Sequence, residues 1–220
     1  MQITDFISSM LFIIFGLSYI LKLVILNKNN RIKANVLAKG KKEFSIYFTE
    51  LFVRTSSMLW LLTWISEIVF HNKISHFIGN ISKSMFVTYT GLLITALGAG
   101  VFILAIVFMK TSWRVGIDKN TQTTLITNGI YKFSRNPAFV GFNLMFLGVF
   151  LTYSNFITLC VWFINMIAFH LLILQEEKHL LYAFGKSYER YKSYVPRYLL
   201  MFNIGSLKVK ESLNNMKDFR

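Results

Sequence analysis

Long apolar runs constrain this chain more than any other feature. Residues 3–26, 44–70, 84–109, 137–153 and 156–174 are rich in Leu, Ile, Val, Phe and Met. A helix needs about 20 apolar residues to cross the hydrocarbon core. Helices also satisfy their backbone polar groups internally, as lipid demands. The expectation is an all-α integral membrane protein with five transmembrane helices. Only 15% of its residues are charged, against about 25% in soluble domains. No small-residue cleavage site closes the first run, so it reads as a span and not as a signal peptide. Ser154 and Asn155 leave room only for a tight turn, which makes the last two spans a helical hairpin.

Charge placement predicts the orientation. The formal net charge is +14, and 20 of the 24 basic residues lie in residues 27–43, in residues 110–136 and from residue 175 onward. They flank the spans and form no basic–aromatic module, which argues against nucleic acid as a partner. With five spans these three segments fall on one side, and the positive-inside rule makes that side the cytosol. The N-terminus is then outside and the C-terminal helix cytosolic. The localisation expected is a multi-pass cell-membrane protein. The frequent Lys, Asn, Ile and Phe suggest a bacterial cytoplasmic membrane. Three parts follow: residues 1–110 with three spans and the basic loop 27–43, residues 111–200 with the loop, the hairpin 137–174 and the C-terminal helix, and a polar basic tail, 201–220.

Polar residues inside or beside the spans are the first functional suspects. Glu50 and Arg54 are one helical turn apart and can pair; they read as an interfacial ion pair or as a wall of a substrate site. Glu67 lies in the same run. Gly91, Gly98 and Gly100, with Ala96 and Ala99, form a small-residue stripe suited to close helix packing. The single cysteine, Cys160, excludes an intramolecular disulfide and reads as a small core hydrophobe. Glu176, Glu177 and His179 are too few donors for a metal, and none is expected.

Two polar stretches stand out, residues 123–141 and 175–197. They carry the chain's two prolines, Pro137 and Pro196. Pro137 suits the first turn of a helix, where an N–H would lack a partner anyway. In the second stretch Leu180, Leu181, Phe184, Tyr188, Tyr191 and Val195 recur at three- and four-residue steps, which predicts a helix continuing from the last span. Gly185 is placed to break or bend it. The hairpin brings the membrane ends of both stretches together, so one cytosolic site is expected from them.

At Leu125 the chain reads L-I-T-N-G-I-Y-x-x-x-R-N-P-x-F-x-G. About 35 residues later comes E-E-x-x-L-x-x-x-F-G-x-x-Y-x-x-Y-x-x-x-V-P-R, starting at Glu176. In this order, around a helical hairpin, the motifs resemble the isoprenylcysteine carboxyl methyltransferase and phospholipid methyltransferase superfamily. The S-W-R-x-G at Ser112 is similar to its bacterial members. The resemblance covers roughly residues 112–198. It implies a membrane methyltransferase, an enzyme that uses S-adenosyl-L-methionine. Cofactor contacts implied by position are Thr124, Leu125, Ile126, Tyr131, Asn136, Pro137, Ala138, Phe139 and Glu176. Candidate catalytic residues are Arg135, Glu177 and His170.

The residue types suit that cofactor. Leu125 and Ile126 can cover an adenine, and Arg135 can meet a carboxylate. Glu176 can accept from a ribose or an amino group. Tyr131 and Phe139 offer ring faces to a sulfonium. The acceptor is expected to be lipid-like, with a prenylcysteine-type carboxylate favoured; a phospholipid amine, a thiol or another amphiphile is the alternative. Prenylcysteine enzymes of the family place an Arg one turn before the acidic pair, where this chain has Leu172. A non-catalytic membrane protein retaining the fold is the reading from another class. The absence of an internal repeat argues against a transporter.

Overall fold

The computed structural model describes residues 3–118, 121 and 123–198. The tail expected at 201–220 lies outside them. Six α-helices follow one another: α1 Ile3–Asn30, α2 Phe44–Ile78, α3 Met85–Phe108, α4 Pro137–Tyr153, α5 Phe156–Phe184 and α6 Lys186–Tyr194. Among the described residues there is no strand, only an isolated parallel bridge between Asn35 and Val115.

Each long helix grows from one of the apolar runs. α1, α3 and α5 are long and apolar enough to cross a bilayer. α4 is apolar, but its 17 residues rise only about 25 Å. α2 is long enough, yet it carries Glu50, Arg54 and Glu67. The apolar run ends at Phe70, but the helix continues to Ile78, with one non-helical residue at Phe70 (φ −122°, ψ 18°). Gly185 separates α5 from α6 at φ +50°.

The helices associate chiefly as two pairs. α3 lies along α4, where Gly91 and Gly98 face Gly148 and Gly141. A Cβ added at Gly98 would stand 2.7 Å from the Gly141 carbonyl oxygen, and one added at Gly141 would stand 2.8 Å from the Gly98 oxygen. Two backbones this close gain dispersion contacts that lipid cannot match. The stripe therefore packs within the chain. Its membership differs from the sequence reading: Gly100 and Ala96 are exposed on the other face, while Thr95, Ala99 and Phe102 are buried.

α2 lies along α5. Asn165 Nδ2 donates to the Ser56 carbonyl at 3.1 Å, and Gln175 Nε2 to Ser45 Oγ at 2.9 Å. Between the pairs sits an aromatic core of Phe15, Trp60, Phe102, Phe142 and Phe146, closed by Phe169. Leu17, Ile20 and Leu21 of α1 point outward, an apolar surface that suits lipid and not water. Cys160 is on an exposed face of α5 and not in the core.

The two ends of the bundle are chemically different. At one end Ser154 adopts φ +42° and Asn155 caps α5, with its Oδ1 accepting from Thr158 N at 3.0 Å. Asn155 Nδ2 also donates to Glu67 at 2.7 Å, and His71 Nδ1 lies 3.1 Å from the same carboxylate. The intramembrane Glu67 thus ties α2 to the α4–α5 turn. At the other end the chain before α2, the chain after α3 and the chain after α6 come together.

Candidate functional site

The site end is assembled by backbone pairing before any side chain is considered. Arg135 N donates to the Pro196 carbonyl at 2.9 Å. Ser134 Oγ and Asn136 Nδ2 both donate to the Arg197 carbonyl, at 3.2 and 3.1 Å. The two prolines of the chain therefore mark the two sides of one contact. α6 secures it: Tyr188 and Tyr191 turn inward, and the Tyr191 hydroxyl donates to the Tyr131 carbonyl at 2.7 Å. Tyr131 sits in a single 3₁₀ turn, Gly129–Lys132, and is buried.

Glu177 is the hub of the charges. Arg135 reaches Oε1 at 2.9 Å. Arg197 binds both oxygens, at 3.1 and 2.9 Å. Asn136 Nδ2 adds a longer contact at 3.4 Å. Burial works to raise the Glu177 pKa. The Arg197 hydrogen bond, the charges of Arg135 and Arg197 and the Asn136 amide outweigh it and hold the carboxyl below its usual range. A carboxylate so held is a poor proton acceptor. Arg135 is equally committed, with a further bond to the Lys192 carbonyl at 3.4 Å; its buried Nε has no partner.

Glu176 differs from its neighbour in every respect. It lies beyond the apolar end of α5 and accepts no hydrogen bond among the described residues. Its side chain is surrounded by protein, while the residue keeps some accessible surface. Burial, and then the nearby Glu50 carboxylate, push its pKa up to about 8, against the opposing pull of Lys42. Tyr131 faces it. Burial and then the Glu176 charge raise the phenol pKa, so the hydroxyl stays neutral, and it too lacks a partner among the described residues.

The other expected residues fall around this centre. Pro137 opens α4 as anticipated, and Ala138 and Phe139 pack on the core. The Phe139 ring meets Phe169 edge-on at 5.5 Å. Leu125 and Ile126 are half-buried. Thr124 is bonded instead to Ser112 at 3.0 Å, at the end of α3. His170 lies seven residues before Glu177 on α5, and its Nδ1 is 2.6 Å from the Tyr198 hydroxyl. Leu172 is buried in the core.

Several participants escape a motif-by-motif reading. Arg197 ends the second motif but resembles any basic tail residue. Glu50 was open to two readings, and its partner is Lys42 at 2.6 Å and not Arg54, which is exposed. Lys42 looked like one of six equivalent loop cations. A separate cavity of about 280 Å³ lies at the opposite end of the bundle, lined by Asp5, His71, Asn80, Lys83 and Tyr153 among others. None of the expected site residues reaches it.

Residues 86–187 match the family model described as phospholipid methyltransferase. Over 83 residues, 37% of this chain, the sequence is 37% identical to a Protein-S-isoprenylcysteine O-methyltransferase of Schizosaccharomyces pombe. That match spans about a third of the relative, 35% of its length.

Proposed function

We propose, from the likeness of residues 86–187 to the isoprenylcysteine carboxyl methyltransferase and phospholipid methyltransferase superfamily, that this chain transfers a methyl group from S-adenosyl-L-methionine to a lipid-like acceptor at the cytosolic membrane face. The observation that carries the reading is Glu176. A carboxyl and a nearby tyrosine hydroxyl, neither with a hydrogen-bond partner among the described residues, suit a ligand rich in N–H and O–H donors. The cofactor has those donors in its ammonium and ribose hydroxyls.

Glu176 would hold the ammonium or the ribose, and Tyr131 would add a hydrogen bond and a ring face. Leu125, Ile126 and Phe139 would cover the apolar part. The Arg135–Glu177–Arg197 cluster with Asn136 fixes the α5 end against the start of α4, so Glu176 is aimed by its neighbour's bonds. When bound, the cofactor supplies a methyl already activated on a sulfonium. The protein's task is orientation and exclusion of water. A carboxylate acceptor needs no proton removed. An amine or thiol does, and His170 with Tyr198 is better placed for that than Glu177, whose charge is neutralised by two arginines.

A prenylcysteine-type carboxylate is the favoured acceptor, in keeping with the name of the curated relative. Leu172 stands where such enzymes place an arginine, which keeps a phospholipid amine as the second reading. Incubating the purified protein with labelled S-adenosyl-L-methionine and a membrane lipid extract, followed by mass spectrometry of the labelled product, identifies the acceptor. Cofactor binding is expected to fall at least tenfold in Glu176→Ala and in Tyr131→Ala. Unchanged titrations in both would remove these residues from the site, and no binding by the wild type would remove the function.

A further inference from the structure

The matched segment begins at residue 86, yet one wall of the site comes from before it. Glu50 is fully buried on α2. Its Oε2 accepts from Ala38 N at 2.7 Å and its Oε1 from Ile117 N at 2.7 Å. Lys42 Nζ donates to both oxygens, at 2.7 and 2.6 Å, and to the Val36 carbonyl at 2.8 Å. The ammonium's three donors are thereby used within the protein. Next to this cluster Val36 N donates to Val115 O at 3.0 Å, and Val115 N to Ala34 O at 2.8 Å. Gly116 makes the approach possible. It sits at φ +91°, and a Cβ there would stand 3.0 Å from Glu50 Oε1 and 2.8 Å from Leu37 Cα.

We propose that Glu50 and Lys42 are positioning residues of the candidate site, the carboxylate clipping the chain before α2 to the chain after α3 and the pair together setting the charge that the Glu176 carboxyl meets. A residue needed only for folding would require the four hydrogen bonds and nothing more. Here the neighbours of the two carboxyls meet across the helices, Gln175 Nε2 lying 3.4 Å from Thr49 Oγ1, and the members of the ion pair act on Glu176 in opposite senses, Glu50 against ionisation and Lys42 in favour of it. Among the described residues Tyr131, from the 3₁₀ turn, and Tyr188, from α6, also interact with Glu176. Both phenols stay neutral near pH 8, so the balance there belongs to Glu50 and Lys42. The clip rests on the methyltransferase reading only in what Glu176 is for; its geometry does not depend on it.

The test reads Glu176 directly in the full-length protein without added ligand. The infrared band of its protonated carboxyl, assigned as the band lost in Glu176→Gln, is titrated with pH. Glu50→Gln is expected to move the midpoint down and Lys42→Met to move it up, each by on the order of one pH unit. Hydrogen exchange of the peptides containing Ala38 and Ile117 is expected to speed up in both. Should Glu50→Gln fail to fold, the upward shift in Lys42→Met still decides the matter. Midpoints that stay put, or that move the same way in both variants, overturn the proposal. Opposite shifts in the two variants, together with a wild type that binds no S-adenosyl-L-methionine, would uphold the clip and sink the cofactor reading instead.

Discussion

Adjacent acidic residues can have opposite tasks, and here helical geometry separates them. Successive positions on α5 point about 100° apart, so Glu177 meets Arg135 and Arg197 while Glu176 turns to Tyr131 and the Glu50–Lys42 pair. The motif made both residues visible in the sequence but could not divide their work, because the division depends on Arg197, which returns from beyond α6. A testable consequence follows from the depressed pKa of Glu177. A group whose folded-state pKa lies below its ordinary value of 4.5 contributes stability that is present above that value and lost as the pH falls through the folded-state pKa. Glu177→Gln is expected to cost about 2 kcal/mol at neutral pH, between the range for exposed pairs and that for buried ones. Thermal unfolding in detergent checks this. The deficit relative to wild type should begin to shrink as the pH falls below the ordinary carboxylate value and should disappear only once Glu177 is protonated in the folded protein as well.

At the scale of elements, five helices were legible because apolar runs mark where lipid contact is favoured. Their ends were not. A helix continues through polar residues whenever its backbone bonds still close, as α2 does from Phe70 to Ile78. The small-residue stripe was also only half legible. Composition counts every small residue, but only those spaced to recur on one face can meet a partner helix, so Gly98 belongs and Gly100 does not. Gly98→Val is expected to cost about 3 kcal/mol or more, because the new atoms meet Gly141 backbone and not a yielding side chain. Gly100→Ala, with nothing within 4 Å of the added carbon, is expected to be neutral or to stabilise by up to about 1 kcal/mol. Comparing the two melting temperatures in one detergent is sufficient. Similar losses in both would mean that the α3–α4 contact is misassigned.

For the whole molecule, charge counting and geometry converge from independent directions. The count grouped residues 27–43, 110–136 and the chain after 174 before any contact was known. Val115 N to Ala34 O, Arg135 N to Pro196 O and the Glu50 carboxylate shared by Ala38 N and Ile117 N join those same segments at one end. What no count could supply was that the first segment contributes to the site, since Lys42 differs from Lys41 only in where it folds. In a Cys160→Ser background, a cysteine at Lys41 is expected to react with a membrane-impermeant thiol reagent only from the cytosolic side, and one at Asn80 only from the outside. Labelling of both from one side would refute the orientation.

The capped turn at Ser154–Asn155, bolted to α2 through Glu67, has a mechanical meaning. α3 packs along α4 and α2 along α5, and the turn joins the two pairs at the end remote from the site. Such an arrangement is a pair of tongs with a fixed pivot. A splay of about 10° along α4 would part the jaws by roughly 4 Å while the pivot barely stirs. Glu50, which grips Ile117 from the opposite jaw, and Glu177, which holds Arg135 and Asn136 at the start of α4, are the latches such a movement would have to strain.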